Sequence, residues 1–185
     1  MSLFQKVIAD CIGNDIHVCL KNNAPTGAVL LTYCAMDAMA FLSMPAGKQK
    51  VGRSDFKNWV EKYMKTGTDQ PYNYDKEDLY GARCGIVHTY GAESDLSRSN
   101  KCRKLVYKPN CLDHFYDPVK HPDLVVLGIN LFIRDFYDAV DKFLHDIEND
   151  ISLRKLVEER LPKLFHIKKG PNKANAADAK SRAAD

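Results

Sequence analysis

The sequence predicts a mainly α fold, a bundle of five to six helices with a small β-hairpin, in one domain over residues 1–165 followed by a disordered basic tail over residues 166–185. Three observations predict it. Apolar residues recur at three- and four-residue spacing through most of the chain. Proline, glycine and asparagine clusters cut that pattern into pieces of helical length. Only two runs, Leu105-Val106-Tyr107 and Leu124-Val125-Val126-Leu127, look like strands. A chain of 185 residues can bury one sizeable core and is cramped for two.

Taken in order, residues 2–21 begin with Ser2 in a capping position and carry Leu3, Phe4, Val7, Ile8, Cys11 and Ile12 as one stripe. Ile16, Cys19 and Leu20 continue the spacing past Gly13-Asn14, so one bent helix or two short ones are expected. Thr26 to Met44 is the least polar segment and should be the central core helix. Asp37, its only charge, requires a partner or a task there, and a base such as Arg83 is the expected partner. After the Pro45-Ala46-Gly47 loop, Ser54 caps a helix with Phe56, Trp59, Val60, Tyr63 and Met64 on one side, where Trp59 reads as core.

Thr66 to Asn73 reads as a linker, and Asp75 as the N-cap of the next helix, with Glu77 and Asp78 in its first turn. Leu79, Ala82, Arg83, Ile86, Val87 and Tyr90 mark its apolar side, and Gly91 should stop it. Ser94 and Ser97 are further candidate caps. The two β-like runs, separated by Pro109, Pro118 and Pro122, should pair as a hairpin with a long loop. Asn130 caps the longest helix, with Phe132, Ile133, Phe136, Tyr137, Val140, Phe143, Leu144 and Ile147 inward. Arg134, Asp135, Asp138, Asp141, Lys142 and Asp146 are its outer face. Ser152 opens a last short helix that Pro162 ends.

The net charge of +3 lies wholly in the tail. From residue 166 onward there are five bases and two acids, which leaves 22 of each in the body. No global basic field attracts nucleic acid, so RNA binding would need a local patch. Arg98, Lys101, Arg103 and Lys104, four bases in seven residues without an acid, are that candidate. The six cysteines form no CxxC pair and read as reduced, packed thiols. Cys102, Cys111, His114 and His121 gather around the strand region, yet match no zinc pattern, so neither a metal nor another cofactor is expected. The N-terminus lacks signal-peptide features and no apolar run approaches the ~20 residues that span a bilayer. A cytoplasmic protein with no membrane partner is the expectation.

The most unusual stretch is Leu79 to Arg98. Gly81 and Gly85 each cost a helix roughly 1 kcal/mol relative to alanine. They share a face with His88, and a face stripped to backbone invites close approach by a helix or a ligand. Arg83 and His88, five apart, stand about 140° apart on a helix; a long arginine can wrap the shoulder of a helix, but two such helices meeting across a two-fold axis would bring both pairs into one cleft more easily. A histidine and an arginine suit RNA cleavage without a metal. One moves the 2′-hydroxyl proton and the other stabilises charge on the phosphorane-like transition state. Cys84 and His88, four apart, offer a second chemistry, a thiolate beside an imidazolium.

Through Arg83-Cys84-Gly85-Ile86-Val87-His88 and its helical setting, the chain resembles the HEPN domains (higher eukaryotes and prokaryotes nucleotide-binding). In that family a helical bundle carries an Arg, four to six residues, then a His. The residue after the Arg is usually polar, whereas here it is Cys84. The resemblance implies a metal-independent endoribonuclease, a homodimer with Arg83 and His88 of both protomers at one composite site. It also implies RNA as substrate and leaves room for an inhibitory protein partner. On this reading Arg98, Lys101, Arg103 and Lys104 bind substrate and Asp37 supports the site. The alternative is a non-catalytic helical module that binds a protein partner or a nucleotide.

Overall fold

The first apolar stripe runs through its glycine without a break. In the computed structural model, which describes residues 4, 6–64 and 73–164, a π-helical segment, Lys6–Gly13, continues straight into α1, Asn14–Lys21. Gly13 keeps right-handed helical angles (φ −64°, ψ −42°), and its carbonyl accepts a hydrogen bond from the Tyr137 hydroxyl at 3.3 Å. The Ser2 cap, most of the Thr66–Asn73 linker and the tail over 166–185 lie outside the described residues.

The central helix is α2, Pro25–Ser43, which starts with proline at its first turn, where no amide partner is lost. Val29, Tyr33, Met36, Met39 and Ala40 are buried along it. By length and composition α2 could cross a bilayer, with mean hydropathy 1.4 over 19 residues. The sequence reading found no such run, because Asp37 and the hydroxyl residues interrupt the apolar count. Half of the helix is buried against its own chain, the place of a core helix. Its C-terminal carbonyls are satisfied from far away. The buried guanidinium of Arg160 donates to the carbonyls of Leu42 at 3.0 Å, Pro45 at 2.9 Å and Met44.

α3, Arg53–Trp59, continues as a π-helical turn over Val60–Met64. Its cap is Gly52 rather than Ser54: the Asp55 carboxylate turns back to accept the Gly52 N–H at 2.6 Å and also binds Lys48. Trp59 packs among Tyr63, Phe136 and Phe143 as expected of a core residue. α4, Lys76–Thr89, opens on the expected cap. Asp75 accepts from the Glu77 and Asp78 amides at 2.8 and 3.0 Å, and Asp78 answers by accepting from the Asp75 amide at 3.1 Å. Ser94 caps the single turn α5, Asp95–Arg98.

The two β-like runs do pair, but not as a hairpin. β1, Lys104–Lys108, lies parallel to β3, Leu124–Gly128, with Leu105 opposite Val125 and Tyr107 opposite Leu127. β2, Phe115–Tyr116, runs antiparallel on the far side of β3, which gives the order β1-β3-β2. Parallel neighbours need a crossover of about a dozen residues, and the segment 109–123 is long enough to provide it. α6, Ile129–Asn149, follows β3 directly from Gly128, so Asn130 sits inside the helix instead of capping it. α7, Ile151–Arg160, is capped by Asp150, two residues before the expected Ser152, and ends in a 3-10 turn, Leu161–Lys163, that contains Pro162. The architecture is mainly helical with a small β element, as expected, and a mixed sheet stands in place of the hairpin. Phe132, Phe136 and Phe143 of α6 join Trp59 and Tyr33 in its centre, each worth about 1.5–3 kcal/mol in buried apolar surface.

Candidate functional site

The capping box at Asp75 sets the phase of α4, and that phase turns Arg83 toward α2. There Asp37 accepts from Arg83 Nε at 2.8 Å and from Nη2 at 2.7 Å. The other terminal nitrogen, Nη1, lies 2.9 Å from His88 Nε2. Arginine has donors only, so Nε2 is the acceptor and the ring proton sits on Nδ1. The five-residue step that separates these side chains around the helix is therefore spanned by the arginine itself, inside one protomer. No second copy is needed to bring them together. Arg83 and Asp37 are largely screened, at 18% and 21% side-chain exposure, whereas His88 is exposed.

The electrostatics fit an anchored cation. Burial works against the charge on Arg83, but the Asp37 carboxylate and the Cys84 thiol more than offset it, and the guanidinium pKa stands above its ordinary value. Cys34, on the neighbouring turn of α2, has its thiol pushed up by burial and by Asp37, with Arg83 opposing. His88 Nε2 meets the arginine, and Cys84 serves the same guanidinium, so the thiolate–imidazolium reading gains no geometry. The result is a guanidinium fixed along one edge by a carboxylate, with its free edge at an exposed imidazole.

The glycine face behaves differently from the expectation of a helix or ligand against it. A Cβ on Gly85 would stand 2.8 Å from the Gly91 carbonyl oxygen and 3.0 Å from that of Glu93. One on Gly81 would stand 2.2 Å from Cys102 Sγ. The chain's own return covers that face. The helix also ends one residue before Gly91: Tyr90 takes the left-handed position (φ 54°), and the Gly91 amide reaches back to the Gly85 carbonyl at 3.3 Å. Tyr90, counted on the apolar side, is 65% exposed.

The basic run is not one solvated patch. Arg103 is folded inward, donating its backbone amide to Asp78 Oδ1 at 2.8 Å and its Nε to Oδ2 at 3.0 Å, under the ring of Tyr116. Burial pushes the Asp78 carboxyl up, and Arg103 opposes it. Lys104 pairs with Glu93 and Arg98 with Asp95 on the surface. These acids lie just outside the window of residues 98–104. Lys101 is exposed on the turn that follows α5.

Asp135, placed on the outer face of α6 by the sequence reading, is buried. It accepts from the Tyr74 hydroxyl at 2.8 Å and lies 2.9 Å from His114 Nε2. His114 Nδ1 accepts the Gly128 amide at 3.2 Å, so Nε2 carries the proton and donates to Asp135. Cys111 Sγ turns instead to the Asp113 carbonyl, and among the described residues no three metal-ligating side chains converge. Asp135 is three residues after Phe132 and four before Ala139, spacing that marks the buried stripe.

Comparison with protein-family models, with curated proteins and with solved structures finds no match to this chain.

Proposed function

We propose that the chain is a metal-independent endoribonuclease of HEPN type, a cytoplasmic homodimer in which the Arg83 and His88 pairs of two copies line one cleft. The observation that supports this most is the arginine bridging Asp37 and His88. Asp37 occupies Nε and Nη2 and leaves the Nη1 edge to a phosphate. When a phosphate takes that donor, His88 Nε2 is released beside the neighbouring ribose. It then accepts the 2′-hydroxyl proton as O2′ attacks phosphorus. The P–O5′ bond breaks, a 2′,3′-cyclic phosphate forms, and the departing 5′-oxygen takes a proton from an acid. One imidazole cannot be both base and acid in a single step; His88 of the second copy supplies the proton. Arg83 stabilises the charge that builds on the equatorial oxygens. Arg98 and Lys101, both exposed, hold flanking phosphates, Lys104 joins them once released from Glu93, and Arg103 serves chiefly the fold.

A second reading, a binding module without catalysis, is favoured by one observation: three of the four bases in residues 98–104 are already paired with acids. The deciding experiment is cleavage of a mixed RNA pool by purified protein in EDTA. Wild type is compared with Arg83→Ala, His88→Ala and Asp37→Asn, each checked for helicity and oligomeric state. The expected loss is about 10²–10⁴-fold for His88→Ala, with Arg83→Ala similar and Asp37→Asn smaller. A folded but inert wild type, or activity indifferent to both alanine substitutions, would refute the catalytic reading and leave the binding module.

A further inference from the structure

Five non-glycine residues among those described have left-handed backbone angles: Asn23, Asn73, Tyr90, Asn100 and Asn110. Four are asparagine, the residue type that tolerates this region because its short polar side chain bonds locally. Tyr90 is the exception. A bulky aromatic at a helix C-terminus that favours glycine is strained, and packing does not repay the strain, because the side chain is 65% exposed. Tyr90 instead forms part of the lining of a cavity of about 400 Å³.

That cavity lies between the start of α2, the last turns of α4 and strand β1. Its walls are Val29, Ala82 and Ile86 on the helices, Tyr90 at the mouth and the consecutive β1 residues 105–107. The interior is mostly apolar. The Tyr107 hydroxyl is engaged with that of Tyr33 and presents no free polar group. Polar contacts come from the strand. β1 has β3 on one side only, so alternate peptide groups point away from the sheet with their donors and acceptors unclaimed by a strand. A flat ring that stacks on an aromatic, fills an apolar slot and presents donors and acceptors at its rim matches this lining. Ile86 and Tyr90 belong to the same last turns of α4 as His88, although neither His88 nor Arg83 is part of the lining.

We infer that the cavity is a nucleobase subsite, taking one unstacked base of single-stranded RNA, with Tyr90 as the stacking platform. The inference rests on the nuclease reading and adds how a base is held: out of its stack, because a base inside a duplex can present its face to Tyr90 only after leaving it. Tyr90 is a binding residue here; the proton transfers remain with His88.

The test separates binding from cleavage. A fluorescein-labelled single-stranded oligonucleotide, fully 2′-O-methylated and so lacking the attacking hydroxyl, is titrated against the full chain. The same strand annealed to its complement is the comparison. Wild type should prefer the single strand by tenfold or more. Tyr90→Ala should weaken single-strand binding about 5- to 100-fold, the range for loss of one stacked base. Tyr90→Phe should restore it to within about threefold of wild type by the same stacking argument. Ala82→Leu, which fills the slot, should weaken it as Tyr90→Ala does. Equal affinity for duplex and single strand, no binding of the single strand, or indifference to Tyr90→Ala and Ala82→Leu would each overturn the subsite. So would displacement of the RNA by unstructured peptides, which would assign the β1 edge to strand addition. If RNA is cut by an Arg83- and His88-dependent route but neither cavity variant alters binding or KM, the subsite fails and the nuclease stands. If the single strand binds through Tyr90 and no RNA is cut, the nuclease fails while the base site remains.

Discussion

Gly85→Ala sets two effects against each other at one atom. In an exposed helix the change would stabilise by about 1 kcal/mol, since alanine loses less backbone entropy. Here the added Cβ would meet two carbonyl oxygens, at 2.8 and 3.0 Å, and both belong to backbone that cannot rotate away. Relief requires the whole 91–93 return to move, and overpacking of this kind typically costs about 1–3 kcal/mol. The clash should win, with a net destabilisation of up to about 2 kcal/mol once the propensity gain is subtracted. For a chain of this size that lowers Tm by about 2–4 °C for each kcal/mol. Urea denaturation of both proteins, with matching slopes, measures the difference. Gly27→Ala is the control, because its Cβ would meet only the Cys19 side chain, the Sγ at 3.3 Å and the Cβ at 3.9 Å, and the sulfur can shift. A Gly85→Ala protein stabilised by about 1 kcal/mol would show that propensity governs and that the return does not press on the helix.

Two further perturbations probe the polar interior. Asp135→Ala removes the acceptor shared by Tyr74 and His114 in a buried site and should destabilise by about 2–4 kcal/mol, read by urea denaturation. Asp135→Asn, which keeps an oxygen in place, should recover most of that loss; equal damage from both would mean that the charge, not the hydrogen bonds, matters. At Asp55, burial alone would raise the carboxyl, but Lys48 and the Gly52 amide hold its pKa below the ordinary value. A depressed folded-state pKa contributes stability above the unfolded value of about 3.9, and this is lost as pH falls through the folded one. Wild type should therefore lose Tm more steeply than Asp55→Asn below about pH 4, and parallel profiles would refute the coupling.

Much of the helical frame was legible because it rests on local rules. Asp75 caps α4 through its own neighbours, and Trp59 is buried because its helical spacing places it there. The sheet was half legible. The β-branched runs identified β1 and β3, but their parallel direction depends on how residues 109–123 travel, and no local residue encodes that path. The Asp37–Arg83 pair was readable because a lone charge in an apolar helix demands a partner; the joining of Arg83 to His88 within one protomer was open to a long arginine but ranked below a meeting of two copies. Helical phase alone separates them, and only the reach of the side chain closes the gap.

The basic run shows why charge counted along a chain misleads about charge in space. Residues 98–104 contain four bases and no acid, yet their partners come from outside that window: Asp78 from the first turn of α4, Glu93 from the return, Asp95 from the first residue of α5. Arg103, screened and held by several hydrogen bonds to a buried carboxylate, cannot leave for a phosphate without stranding Asp78, a loss of several kcal/mol. Arg98 and Lys104, in surface pairs that solvent screens, can. On the proposed function, the candidate phosphate contacts that remain are Arg83, Arg98, Lys101 and Lys104. Only the first is pre-oriented, by Asp37. Affinity built on so few phosphates would be modest and weakly salt-dependent, which shifts the work of holding a single strand onto stacking and onto the cavity beside Tyr90.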